Sequence, residues 1–152
     1  MAMTMNGQVQ LAASREVVWA KLNDPEVLKS CIPGSEQLDK ISENEFQAIA
    51  TVKVGPVKAR WKGKVRLSDL DPPNSYRISG EGEGGVAGFA KGAADVRLSD
   101  KDGGTLLTYS VEAQIGGKLA QLGQRLINGA AKKMADEFFQ KFAAAVGTGA
   151  AA

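Results

Sequence analysis

The sequence predicts an α+β fold in which a curved antiparallel sheet of about seven strands wraps around a long C-terminal helix. Three patterns predict it: strict alternation over residues 57–67, further alternating segments between turn signals over residues 36–115, and helical apolar spacing over residues 117–146. A sheet with one apolar face needs a cover, and only the C-terminal segment is long enough to provide it. We therefore expect a single domain over residues 1–146, followed at 147–152 by a flexible tail or a truncation point.

One strand and two short helices are predicted before the main series of strands. Small and apolar residues alternate from Met5 to Leu11, as in a strand with one buried face. Ser14 is a suitable N-cap for a first helix, and Asp24-Pro25 suits the start of a second, because Asp caps well and Pro fits the first turn. Ile32-Pro33-Gly34 then ends this helical pair.

The alternating segment 57–67 predicts one long half-buried strand with Trp61 on its inner face. Its outer face carries a basic row, Lys58, Arg60, Lys62, Lys64 and Arg66. Two interpretations of this row remain open. Glu81 and Glu83 on the next strand neutralise it through cross-strand pairs, or it is a docking surface for anionic lipid headgroups or an acidic protein partner.

Further turn signals divide the remaining strands at residues 69–74, 84–88 and 100–104. Gly116-Gly117 ends the last strand, and we expect a helix from there to about Val146. Helical spacing places three leucines on its sheet-facing side, Leu119, Leu122 and Leu126.

The predicted inner face is poor in large side chains. Its small residues are Ala48, Ala50, Ala59, Gly63, Gly80, Gly82, Ala90, Gly92, Ala94 and Ala113. Because protein interiors contain few voids, either the helix approaches the sheet closely or an apolar molecule is bound, and glycines also allow a sheet to bend.

If a molecule is bound, we expect an apolar site with few polar groups. Its predicted lining is Trp61, Tyr76, Phe89, Tyr109, Leu119, Leu122 and Leu126. The two tyrosines would donate hydrogen bonds, and Phe89 would lie at the mouth beside the 84–88 turn.

Composition restricts the chemistry more than it identifies it. The chain has 152 residues, a net charge of +2, one cysteine and no histidine. Without histidine, the commonest general base and transition-metal ligand is missing, so no catalytic residue and no metal site are predicted. No apolar run approaches the length of a membrane span, and the N-terminus lacks the features of a signal peptide, so we expect a cytoplasmic protein.

A set of short motifs resembles one known family across about residues 3–146. They are residues 18–19 (VW), 22–28 (LNDPEVL), 31–34 (CIPG), 54–59 (VGPVKA), 71–73 (DPP), 88–92 (GFAKG) and 116–123 (GGKLAQLG). Their order and spacing are similar to the CoxG family of carbon monoxide dehydrogenase accessory proteins. That family belongs to the START-like, or SRPBCC, helix-grip superfamily, whose fold agrees with the architecture predicted above.

The resemblance implies a non-catalytic accessory protein of a molybdenum-containing carbon monoxide dehydrogenase or a related hydroxylase. It also implies peripheral contact with the inner face of the cell membrane, and binding of a respiratory quinone, menaquinone or ubiquinone, that links the enzyme to the respiratory chain. The alternative is a recruitment or assembly adaptor with a filled core and no ligand. Helix-grip proteins also include cyclases, so an enzymatic role is a third hypothesis.

Overall fold

The computed structural model describes the backbone of residues 1–151 and the side chains of residues 1–147. Its strands are β1 (Ala2–Leu11), β2 (Ser35–Ser42), β3 (Glu45–Val54), β4 (Val57–Asp71), β5 (Ser75–Glu83), β6 (Phe89–Lys101) and β7 (Gly104–Gly116). Its helices are α1 (Arg15–Leu22), α2 (Pro25–Cys31) and α3 (Gln124–Ala151), with 3-10 helices at Gly85–Ala87 and Gly117–Leu122. The backbone of α3 continues beyond the helix end predicted at about Val146, and the division into a domain and a flexible tail or truncation point stays a prediction.

The seven strands form one antiparallel sheet in the order β1-β7-β6-β5-β4-β3-β2. Strands β1 and β2 are therefore the two edges, and α2 packs beside β2 while α3 packs beside β1 and β3. The predicted fold, a curved sheet around a long C-terminal helix with two short helices after the first strand, is confirmed.

The two short helices begin where their capping residues predict. The Ser14 hydroxyl accepts a hydrogen bond from the Val17 amide at 3.3 Å, and the Asp24 carboxylate accepts one from the Glu26 amide at 3.0 Å. Each cap satisfies a backbone N–H that has no partner within the helix. Cys31 ends α2 and is buried, as expected for a small apolar residue.

The predicted turn at residues 69–74 is too long. Strand β4 continues to Asp71 through an irregularity in its pairing with β5, between Ser68 and Asp71. Asp69 has a φ of 52°, a left-handed conformation that Asp tolerates better than most residues. The polar residues that suggested a turn thus form a bulge within a strand.

The C-terminal helix also differs from the prediction, because it begins at Gln124 and not at Gly117. The 3-10 helix Gly117–Leu122 precedes it, and Gly123 separates the two with a φ of 93° and a ψ of 157°. This break resets the helical phase, so Ile127 is buried at 4% exposure whereas Leu126 is exposed at 39%. The prediction that Leu126 faces the sheet is therefore wrong.

Buried apolar side chains form two separate clusters. The first is centred on Leu11, Val18, Leu107, Phe142 and Val146, where α1 and the C-terminal half of α3 meet the sheet. The second is centred on Met3, Val54, Ile115, Leu119 and Ile127, at the other end of the strands. The middle of the sheet lies between these two clusters.

Candidate functional site

The middle of the inner sheet face is only half-buried, although α3 lies over it. On β4, Val57 and Leu67 are buried and the inner-face residues between them are not; on β7, Leu107 and Ile115 show the same pattern. We call these half-buried positions the inner belt: the inner-face residues within 5–9, 48–52, 59–65, 78–82, 90–94 and 109–113. Since solvent reaches these residues beneath a helix, the belt borders a space between sheet and helix.

A groove of about 680 Å³ lies between the inner face of β1 and α3. Tyr109 and residues 3–9 of β1 contribute its sheet side, including the polar residues Thr4, Asn6 and Gln8. Its helix side is formed by Asn128, Ala131, Lys132, Asp136, Phe139, Gln140 and Ala143. Because β1 is an edge strand and pairs only with β7, the groove runs along a free side of the sheet.

Tyr109 crosses from β7 towards this groove because its neighbour on β1 is glycine. Gly7 is its direct cross-strand partner, and a Cβ atom at position 7 would overlap the phenol hydroxyl. The Tyr109 ring stacks on Phe139 of α3, with ring centroids 5.1 Å apart and an interplanar angle of 20°. The pair therefore lies where the groove meets the inner belt.

Two charged residues of α3 stand beside Tyr109 at the groove. Lys132 Nζ donates to Asp136 Oδ2 at 2.7 Å, and this hydrogen bond raises the pKa of Lys132. Partial burial raises the pKa of Tyr109, and the negative charge of Asp136 adds to the rise while Lys132 opposes it. We call Tyr109, Lys132 and Asp136 the polar cluster: it offers two donors and one carboxylate at the edge of an otherwise mostly apolar space.

The seven residues predicted to line one site lie in different places. Tyr109 lines the groove, and Trp61 lies in the inner belt, where its ring would be 2.9 Å from a Cβ atom at Gly84. Leu119 and Leu122 belong to the second apolar cluster.

The remaining three lie further from the groove. Tyr76 is buried in the first cluster with Trp19 edge-to-face at 5.3 Å. Leu126 packs over Gly55, and Phe89 covers Gly116 on the outer face of the sheet. Of the seven, only Tyr109 lines the β1–α3 groove.

Of the residues that line the groove, the sequence analysis predicted only Tyr109, and those that it missed include Gly7, Lys132, Asp136 and Phe139. A Lys–Asp pair four residues apart usually indicates a solvated helix face. This Lys–Asp pair lies directly beside the apolar stripe that carries Met134, Phe138 and Phe142, and that position was the available signal for a site there.

The basic row is partly neutralised. Arg60 pairs with Glu36 at 3.1 Å and Arg66 pairs with Glu45 at 3.3 Å. Hydrogen bonds from Thr51 and then Arg60 lower the pKa of Glu36.

The lysines of the row differ in their surroundings. Lys62 and Lys64 lie opposite Glu83 and Glu81 in register, whereas Lys58 faces Lys53. A second concave surface of about 570 Å³ on this outer face is lined by charges of both signs: Lys64, Arg66, Lys91, Glu45, Glu81 and Glu112. Two of the five cations of the row are thus ion-paired, and the predicted cross-strand pairs with Glu81 and Glu83 are in register without a salt bridge.

Two kinds of feature are absent from the described part of the chain. No group of three or more Asp, Glu, Cys or His side chains there has an arrangement that could hold a metal ion. Nor does any helix there have the length and apolar character needed to cross a bilayer.

One family model matches this chain, and solved structures share its fold. The CoxG family, described as a subunit of carbon monoxide dehydrogenase, matches residues 7–147. A conserved protein from Geobacillus kaustophilus has a similar structure, with a TM-score of 0.90 and 33% identity over 96% of each chain. No curated protein has significant sequence similarity to this chain.

More distant structures share the fold. A START superfamily protein from Mycobacterium smegmatis has a TM-score of 0.72 and 11% identity, over 94% of this chain and 96% of that one. The Zhui aromatase/cyclase from Streptomyces sp. R1128 has a TM-score of 0.70 and 14% identity, over 96% of this chain and 94% of that one. At these identities the likeness concerns the fold alone.

Proposed function

This chain belongs to the CoxG family of carbon monoxide dehydrogenase, and from that premise we propose that it is a ligand-binding accessory protein that carries an isoprenoid quinone. In this proposal the bound quinone accepts electrons from a molybdenum-containing carbon monoxide dehydrogenase, or a related hydroxylase, and so links that enzyme to the membrane respiratory chain. The proposal assigns binding and orientation, and no catalytic step, to the residues of this chain.

The observation that carries the proposal is the half-buried inner belt beside an accessible groove. A closely packed interior would have buried these residues. The groove volume falls within the range of about 300–1,000 Å³ that is usual for small-molecule sites. An isoprenoid tail between sheet and helix would be stabilised by roughly 25 cal/mol for each Å² of apolar surface removed from water.

The polar cluster suits the head of such a molecule. A quinone has two carbonyl oxygens that accept hydrogen bonds, and the Tyr109 hydroxyl and the Lys132 ammonium group are donors at the groove. The stacked Tyr109 and Phe139 rings offer an aromatic surface to a flat quinone ring. Both menaquinone, a naphthoquinone with two fused rings, and ubiquinone, a benzoquinone with a single ring, have such carbonyl oxygens and a flat ring.

The first test is to purify the protein from cells that make quinone, extract it with organic solvent, and identify the extract by mass spectrometry. We expect an isoprenoid quinone in stoichiometric amount. A protein that is empty, and that also fails to take up added quinone, would exclude the carrier and leave the adaptor as the function.

A matched pair of variants tests where the quinone head binds. Tyr109→Phe removes a donor from the groove, and Tyr76→Phe removes the same hydroxyl from a buried position outside it. With a short-chain quinone probe followed by fluorescence quenching, we expect Tyr109→Phe to weaken binding about fivefold, the effect of one hydrogen bond. Tyr76→Phe should leave the affinity unchanged, and equal effects of the two would contradict this location.

A further inference from the structure

The two edges of the sheet are protected against further pairing to different degrees. Strand β2 carries Glu36, Asp39 and Lys40, and its pairing with β3 is irregular at two points. Charges and bulges of this kind are usual devices that prevent an edge strand from pairing with another chain. Strand β1 has neither: residues 2–11 include no charged residue and no proline, and they pair with β7 without a register shift.

The free edge of β1 presents backbone groups that have no partner. Met1 and Ile115 exchange two backbone hydrogen bonds, at 2.9 and 2.8 Å. Because such pairs alternate along an antiparallel ladder, the odd-numbered residues of β1 bond to β7 and the even-numbered residues point their N–H and C=O groups away from it. None of these outward groups bonds to another described residue. The residues concerned are Ala2, Thr4, Asn6, Gln8 and Gln10.

Helix α3 does not cover this edge. It packs against β1 from the inner side, and the groove of about 680 Å³ lies between the two. Thr4, Asn6 and Gln8 are exposed on the outer face and yet line the groove, so the groove reaches the backbone edge itself. A further strand placed along β1 would therefore close the open side of the groove.

We propose that the free edge of β1 pairs antiparallel with β1 of a second copy of this chain, across a two-fold axis at Asn6. Asn6 then lies opposite Asn6 of the copy, and Thr4 lies opposite Gln8. In this register every outward N–H and C=O group of the two strands gains a partner. The outer-face side chains that meet are small or polar and uncharged, so no like charges oppose each other.

The charges of α3 are complementary in the same arrangement. The N-terminal part of α3 belongs to the cluster of Met3 and its C-terminal part to the cluster of Leu11, so α3 runs in the same direction as β1. Lys132 and Asp136 therefore lie near the level of Asn6, on the groove side of the helix. The two-fold axis directs Lys132 of each copy towards Asp136 of the other. Both side chains are available to the second copy, because they are 74% and 63% exposed.

Pairing would add a wall to the groove. The β1 strand and the α3 helix of the second copy would bound the groove on its open side, so the polar clusters of the two copies would face each other. In the single chain the middle of β1 remains free to adjust, and pairing would hold it in place. The pairing itself rests on the edge and on the charges of α3, and it does not depend on the proposed ligand.

Sedimentation velocity of the whole protein over a dilution series tests the pairing, and we expect a reversible dimer. Asn6→Pro removes an outward N–H from each chain, and with it two hydrogen bonds, so it should weaken the dimer about tenfold or more. The pairing with β7 is kept, because this N–H points away from β7. Asn6→Lys should also weaken the dimer, since it places like charges opposite each other. The control Ser110→Lys adds the same charge beside Asn6 but on β7, away from the edge, and it should dimerise as the wild type does.

A cross-link locates the interface. Opposite residues of a hydrogen-bonded antiparallel pair have Cα atoms about 5.5 Å apart, which is within the span of a disulfide. We therefore expect Asn6→Cys to form a disulfide-linked dimer on mild oxidation. The native Cys31 is buried and does not compete. The control Asp39→Cys, at an exposed position of the β2 edge, should form no such dimer.

Three results would overturn the proposal. One is a single chain at every concentration, which would leave the edge to a strand of another protein. Another is a dimer that Asn6→Pro and Asn6→Lys leave as tight as the wild type. The third is a disulfide-linked dimer of Asp39→Cys and none of Asn6→Cys, which would assign the interface to β2.

Discussion

Tyr76 and Tyr109 both point to the inner face of the sheet, yet their surroundings differ. Tyr76 is 6% exposed and packs edge-to-face on Trp19, and its burial raises the pKa well above the usual value. Tyr109 is half-buried, stands over Gly7 and faces a lysine and an aspartate of α3. We infer that the first tyrosine stabilises the fold and that the second is available to a ligand.

The raised pKa of Tyr76 predicts a dependence of stability on alkaline pH. The folded protein holds this proton more tightly than the unfolded chain does. The stability that it contributes is therefore complete below about pH 10, the pKa of an unperturbed tyrosine. It is lost as pH rises from there towards the folded pKa, by up to about 1.4 kcal/mol per pH unit.

Urea unfolding of the wild type and of Tyr76→Phe between about pH 8 and 11 tests this prediction. We expect the free energy of unfolding to fall more steeply for the wild type above about pH 10. Other groups titrate in the same range, and the difference between the two proteins removes their contribution. If the free energies of unfolding of the two proteins change with pH in parallel, ionisation of Tyr76 does not oppose folding.

At the scale of elements, the features that depend on local sequence are predicted correctly, and those that depend on tertiary packing are not. Caps and strict alternation are local, so Ser14, Asp24 and the basic row predict α1, α2 and β4 correctly. Gly123 and Gly129 stand in the same helical pattern, but Gly123 interrupts it and Gly129 continues it. Nothing in the neighbouring residues distinguishes the two, because packing against the rest of the fold decides which glycine adopts a positive φ.

Substitution of these two glycines should have opposite effects. Gly123 has a φ of 93° and a ψ of 157°, a region that is nearly restricted to glycine. Gly123→Ala should therefore lower the free energy of unfolding by about 1–3 kcal/mol. Gly129 lies within α3 and has open space where an alanine methyl group would stand, so Gly129→Ala should raise it by about 0.5–1 kcal/mol. Thermal or chemical unfolding measures both, and a stabilised Gly123→Ala would refute the role of Gly123 as a required break.

At the scale of the whole molecule, two apolar clusters hold the ends of the sheet on α3, and the inner belt lies between them. The sequence predicts the belt, because alternation identifies the small inner-face residues strand by strand. It does not predict the groove, since the distance between β1 and α3 depends on elements at opposite ends of the chain. For the same reason, the sequence analysis assigned seven residues to one site, whereas the fold places them in several separate locations.

Filling the belt should cost little stability. Ala94 is half-buried in the middle of the sheet and belongs to neither cluster, whereas Ala87 is buried at 2% exposure. We expect Ala94→Leu to change the free energy of unfolding by less than about 1 kcal/mol, and Ala87→Leu to lower it by about 1–3 kcal/mol through overpacking. If the proposed quinone lies in the belt, Ala94→Leu should also reduce its binding. Equal destabilisation by both substitutions would show that the belt is already filled.

The position of β1 at the edge of the sheet has a consequence for selectivity. Its backbone is hydrogen-bonded to β7 alone, and Met3 and Leu11 near its ends are buried in the two clusters, so its middle is the part that can shift relative to α3. We therefore expect the groove to accommodate ligands of different width and to discriminate only weakly among them by size. Any preference among ligands must then come from the few fixed hydrogen-bond donors that contact the head of the ligand.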